Sequence, residues 1–250
     1  MTLALAVRCR DGIVVAADSQ STLLTAGQWT RLEADKLNVL GGRIAWAGSG
    51  QLGAVQRVEL ELEAHAREIL AAFQVSHELG AREVFRRVNA VQKQVFAEMV
   101  GDPDAGGSSY LFAGYGAAGP FLLEIDADGG RQWSDRRSFA AIGSGAIYAI
   151  HASRGIAHQR LPSLSLVQAE ALAYRTVENA IATAALGLGG TVRLTVVTPS
   201  GAAILDGTEL KAVQDIVDIW KQREVEILQE LGSVAEEPTQ APSPPEPPSE

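Results

Sequence analysis

Twice along this chain, short apolar runs joined by tight turns give way to helical periodicity spread over consecutive segments. Leu3 to Arg8 and Ile13 to Ala17 flank the turn dipeptide Asp11-Gly12 and predict a hairpin of two buried strands. After a polar stretch from Ser19 to Asp35, Leu37 to Leu40 and Arg43 to Ala47 repeat the pattern across Gly41-Gly42. The period then switches. Val55, Val58, Leu62, Ala66, Ile69 and Phe73 step by three or four, as do Val84, Val88, Val91, Val95 and Met99, predicting two helices before a break at 101–107. Strands resume at about 109–115 and 120–126, with a third ending at Ile142. Helices are expected at about 145–155 and 166–185, then a hairpin over 192–205 and a final helix from Glu209 to Leu231. Hairpins followed by helix pairs give antiparallel sheets with helices outside them, not a parallel βαβ sheet. The fold class expected is therefore α+β.

Six of the ten prolines fall in the last thirteen residues, so the 250 residues divide into a folding domain over 1–232 and a Pro/Glu-rich tail, 233–250, too polar to pack. The net charge is −9, and an acidic body with scattered Lys and Arg argues against nucleic-acid or anionic-membrane binding, which needs concentrated positive charge. Cys9 is the single cysteine, which excludes an internal disulfide and any multi-Cys metal site. His65, His77, His151 and His158 lack ligand spacing and are expected at the surface, so no metal or organic cofactor is expected. No run reaches the length of a membrane span, and no leader precedes the first strand, so a cytoplasmic protein is expected.

Gly48-Ser49-Gly50-Gln51-Leu52-Gly53 matches the glycine pattern of dinucleotide sites, but it follows the second arm of a hairpin and leads to a helix pair. Without a parallel crossover the nucleotide reading fails. Exposed N–H groups at a helix start remain suited to stabilising an anion.

Thr2 stands one residue behind Met1. Removal of Met1 would free an α-amine of pKa about 7.7–8.0 beside a hydroxyl, placing a base and a nucleophile in one residue. Asp18 ends the second strand in Asp-Gly-Ile-Val-Val-Ala-Ala-Asp, Lys36 stands at the entry of the next hairpin, Ala47-Gly48 ends it, and Gly143-Ser144-Gly145 closes a later strand. In these segments the chain resembles the β-type subunits of the proteasome and the HslV-type proteases, which are amino-terminal nucleophile hydrolases; the likeness runs from Thr2 to about residue 230. The resemblance implies a four-layer αββα sandwich, two antiparallel sheets between helix layers. It implies Thr2 as nucleophile, Lys36 beside Asp18 lowering the hydroxyl pKa, the Gly48 N–H at the oxyanion, and Ser144 orienting the amine and its water. Around the substrate it implies Ser21, Thr22, Trp46, Gly48 and Gly50, with the Thr22 backbone pairing an extended peptide and the Trp46 indole making a shallow specificity pocket.

The activity so implied is threonine-type endopeptidase action on peptides or unfolded proteins inside a homo-oligomeric ring, with an ATP-dependent unfoldase as partner. Two alternatives stand beside it: a catalytically silent structural subunit, and an amidase or transpeptidase of the same class acting on small amides. One departure bears on the choice. Where the family carries Asp and Ser before a Gly-Gly pair, this chain has Ala185-Leu186-Gly187-Leu188 before Gly189-Gly190.

Overall fold

A computed structural model describes residues 2–25, 28–98, 107–128, 130–134, 137–155, 160–183 and 187–236. Residues 233–236 of the expected tail continue the last helix; its residues 237–250, the break at 101–106, Ala185, Leu186 and His158 lie outside the described residues. One five-stranded antiparallel sheet runs β10 (Phe139–Ile142), β1 (Ala4–Arg8), β2 (Ile13–Asp18), β11 (Val192–Thr198) and β12 (Gly201–Ile204). A second runs β5 (Leu37–Leu40), β6 (Ile44–Ser49), β7 (Ser109–Gly116), β8 (Gly119–Ile125) and β9 (Arg131–Ser134).

Strand alternation decides what each face meets. Ala4, Ala6, Ile13, Val15 and Ala17 of the first sheet face Ala45, Ala47, Leu111, Ala113 and Leu122 of the second, and this mainly small-residue core joins the sheets. On the other face of the first sheet, Leu3, Leu5, Val14, Ala16 and Leu194 pack against α5 (Leu166–Thr183), α4 (Ala146–Gly155) and α6 (Gly207–Glu236). Ile44, Trp46, Phe112, Phe121 and Leu123 of the second sheet pack against α1 (Leu52–Ala64), α2 (Ala66–Val75) and α3 (His77–Glu98). The layers are helix, sheet, sheet, helix, as the sequence led us to expect.

Four local differences have physical causes. The polar stretch 19–35 contains a hairpin, β3 (Gln20–Thr25) and β4 (Gln28–Glu33), which forms its own two-stranded sheet. The first long helix is two, because His65 at φ −118° and ψ 16° interrupts it between α1 and α2. Cys9, most simply expected as a strand residue, lies in the β1–β2 turn, buried, where its thiol donates to the Gly12 carbonyl, and burial raises its pKa. His77, expected at the surface, is buried at the start of α3; its Nε2 lies 3.0 Å from the Gly119 carbonyl oxygen and its ring meets Phe121 edge-on.

Candidate active site

Register brings the singled-out residues to one end of the sandwich. Ala4 pairs with Ala17 on one side and Ile142 on the other, so Thr2 and Leu3 run on between Asp18 and the Gly143 turn. The Leu3 N–H donates to Asp18 Oδ1 at 2.9 Å, and the Asp18 N–H returns to the Leu3 carbonyl at 3.2 Å. The Gly145 N–H donates to the Thr2 carbonyl at 3.1 Å. Thr2 is itself buried, at 8% exposure.

Asp18 has no solvent exposure. Besides Leu3, it accepts from the Lys36 ammonium on Oδ1 at 2.8 Å and from the Gly189 N–H on Oδ2 at 3.3 Å. Three donors, one of them charged, satisfy an ionised carboxylate in the interior. Lys36 lies just before β5, with only 8% of its side chain exposed. Burial pushes its pKa below the usual lysine value, and the attraction of Asp18 opposes that shift. The pair is thus a buried charge centre beside Thr2, unlike a surface ion pair worth under about 1 kcal/mol.

Gly48 joins this group through register. β5 starts at Leu37, opposite Ala47, so Gly48 extends one residue past that strand, level with Lys36. On its other side it pairs with Tyr110. A Cβ at Gly48 would crowd the Val55 methyls. Tyr110 is fully buried, and desolvation, offset only in part by Ser108, pushes its hydroxyl up to about 12. Gly50, at φ +135°, begins the approach to α1, where a side chain would collide with Ser108.

Ser144 is exposed, between Gly143 at φ +87° and Gly145. A side chain on Gly143 would strike the Thr2 carbonyl oxygen, so a glycine is required for the turn to close over the end of β1. Ser21 and Thr22 lie on β3, opposite Leu32 and Arg31 of β4; β4 is the sole described partner of β3, which leaves the other edge of β3 unpaired among the described residues. Trp46 is corrected. Its side chain is 1% exposed and stacks on Phe112 at 6.0 Å within the helix-facing core, so its ring meets no open surface. Both faces of β6 are buried, and Trp46 falls on the one turned toward the helices.

Sequence reasoning missed the polar linkage behind this end. The Thr191 N–H donates to Ser19 Oγ at 2.8 Å, the Thr191 hydroxyl to Glu33 at 3.3 Å, and Arg193 to Glu33 at 3.1 Å. These bonds tie the β3–β4 hairpin to β11 around a cleft of about 230 Å³. Gly189-Gly190-Thr191 was visible as a loop signal, but nothing in the sequence pairs it with residues 170 positions away. Leu188, at 7% exposure, packs in the helix-facing core and lies over Gly145, so the departure noted before Gly189-Gly190 sets an apolar side chain there. Among the described residues no cluster of His, Cys, Asp and Glu could hold a metal ion, and no helix is long and apolar enough to cross a membrane.

Two antiparallel sheets between helix layers, with a threonine heading the first strand, define the fold of the amino-terminal nucleophile hydrolases. The chain belongs to the proteasome subunit family, whose model matches residues 2–197. Among solved structures it is similar to the Anbu (Gly-1) mutant from Hyphomicrobium sp. strain MC1, with a TM-score of 0.67 and 17% identity over 93% of this chain and 100% of that one. At that identity the likeness concerns the fold alone. No curated protein matches the sequence.

Proposed function

We propose that the chain is a threonine-type endopeptidase whose nucleophile is Thr2, exposed by removal of Met1. The observation that carries this reading is the buried Lys36–Asp18 pair joined to the residue after Thr2, with 2.8 Å between the charges and 2.9 Å from Asp18 to the Leu3 N–H. A positive centre held there favours the ionised form of a nearby hydroxyl. The Thr2 α-amine takes the proton from Oγ, and Oγ attacks the scissile carbonyl carbon. The resulting oxyanion accepts from the Gly48 N–H, held beyond the end of β5. As the C–N bond breaks, the leaving amine carries the proton away and an ester on Thr2 remains. Water, deprotonated by the same amine, attacks the ester carbonyl carbon; the C–Oγ bond breaks, Oγ takes the proton back from the ammonium, and the acid leaves.

The exposed Ser144 borders Thr2 through Gly143 and Gly145 and would orient that amine and water. The unpaired edge of β3, with Ser21 and Thr22, would hold the peptide as an added strand. Gly50 would shape the approach to Gly48. The working protein would be cytoplasmic, a self-assembled ring fed with unfolded chains by an ATP-dependent unfoldase, its domain spanning 1–232 and followed by the Pro/Glu-rich tail, 233–250. No cofactor enters the scheme.

A second reading, a silent structural subunit, draws support from Leu188, which sets an apolar side chain over Gly145. Reaction with a threonine-directed electrophile separates the two. We expect labelling of the wild type and none of Thr2→Ala; an unlabelled wild type supports the silent subunit. Comparison of peptide and small-amide turnover then tests the amidase alternative.

A further inference from the structure

We propose that Ser49 is a positioning residue for Thr2, its hydroxyl accepting a hydrogen bond from the Thr2 α-amine; this rests on the reading of Thr2 as nucleophile. The argument begins with strand alternation. On β1 the even positions Ala4 and Ala6 face the core between the sheets, and on β6 the odd positions Ala45 and Ala47 face the same core. Continuing each row outward by one step of two reaches Thr2, just before β1, and Ser49 on β6. Gly48, on the opposite parity, faces the helix side, where a Cβ would meet Val55 and Tyr110.

The Gly143 turn closes on both residues. A Cβ built on Gly143 would stand 2.9 Å from Ser49 Oγ and 2.9 Å from the Thr2 carbonyl carbon, so both groups crowd one point at the mouth of the sandwich. Ser49 is half-buried, which leaves its hydroxyl sheltered but open to a neighbour. The other wall gives the amine less help: Leu188 is apolar and packs over Gly145. Ser49 thus supplies, from the second sheet, polar support that the residues before β11 do not. The charged groups nearest Thr2 are Asp18 at the end of β2 and Lys36 before β5, while the described residues of the β10–α4 turn and of 187–189 bring none.

A hydroxyl that accepts from the α-amine stabilises the ammonium formed when Oγ gives up its proton, and so makes the amine a stronger base. Electrophile labelling should be followed against pH for the wild type, Ser49→Ala and Ser49→Gly, with Thr2→Ala as the reference. Removing the hydroxyl should lower the plateau rate about 3- to 10-fold, the size expected for one lost hydrogen bond. It should also move the acid limb of the profile to lower pH, equally in both variants, although glycine in β6 lowers the melting temperature and alanine does not. A profile that keeps its wild-type midpoint in both variants overturns the Ser49 proposal alone. Labelling that survives Thr2→Ala overturns instead the reading on which it rests.

Discussion

Lys36 holds its proton less tightly in the folded chain than in the unfolded one, because burial outweighs the attraction of Asp18. Its charged form therefore costs stability at neutral pH, and that cost fades as pH rises from the lowered value toward the ordinary 10.5. Breaking the pair is nevertheless the larger effect, since Asp18 would remain buried beside two backbone donors only. Lys36→Met should lose about 3–5 kcal/mol in denaturant unfolding. Relative to that variant, the wild type should gain stability as pH approaches 10.5; a flat difference would show that Lys36 titrates as an ordinary lysine. The partnership of Asp18 with Lys36 was legible only through the family resemblance, since no local pattern pairs the end of β2 with the entry of β5. The inward burial of His77 and Trp46 was not, since it depends on contacts with β7 and β8, distant in sequence.

At the scale of elements, apolar periodicity located nine of the twelve described strands, and the three it missed share a cause. The β3–β4 hairpin pairs only with itself among the described residues, and β9 is a four-residue strand at a sheet edge, so neither shows an apolar alternation long enough to read in the sequence. The hairpin owes its position to polar bonds, of which the Thr191 N–H to the fully buried Ser19 is the most enclosed. Ser19→Ala strands that N–H and should cost about 1–3 kcal/mol by thermal or chemical unfolding. If β3 receives the peptide, the same variant should raise KM more than it lowers kcat; the reverse split would detach the hairpin from substrate binding.

Over the whole molecule, the small residues between the sheets let them approach closely, while the bulky aromatics are kept for the outer, helix-covered face of the second sheet. That close approach brings the ends of β1, β2, β6 and β10 to one mouth, which is why a site scattered from residue 2 to residue 189 converges. The general layering followed from hairpins and helix pairs; the convergence needed the register, which no local pattern discloses. A single copy leaves Ile219, Val225, Leu228 and Leu231 of α6 exposed. Members of the family assemble as oligomeric rings. Light scattering should accordingly give a mass several-fold above 26.4 kDa, and a monomer at micromolar concentration would contradict the proposed ring.

All of the proposed chemistry depends on a free amine on Thr2. Tandem mass spectrometry of the amino-terminal peptide, taken after reaction with a threonine-directed electrophile, reads both requirements at once. The account predicts a peptide beginning at Thr2, without Met1, and carrying the adduct on that residue. A peptide that retains Met1, or an adduct on any other residue, would contradict it.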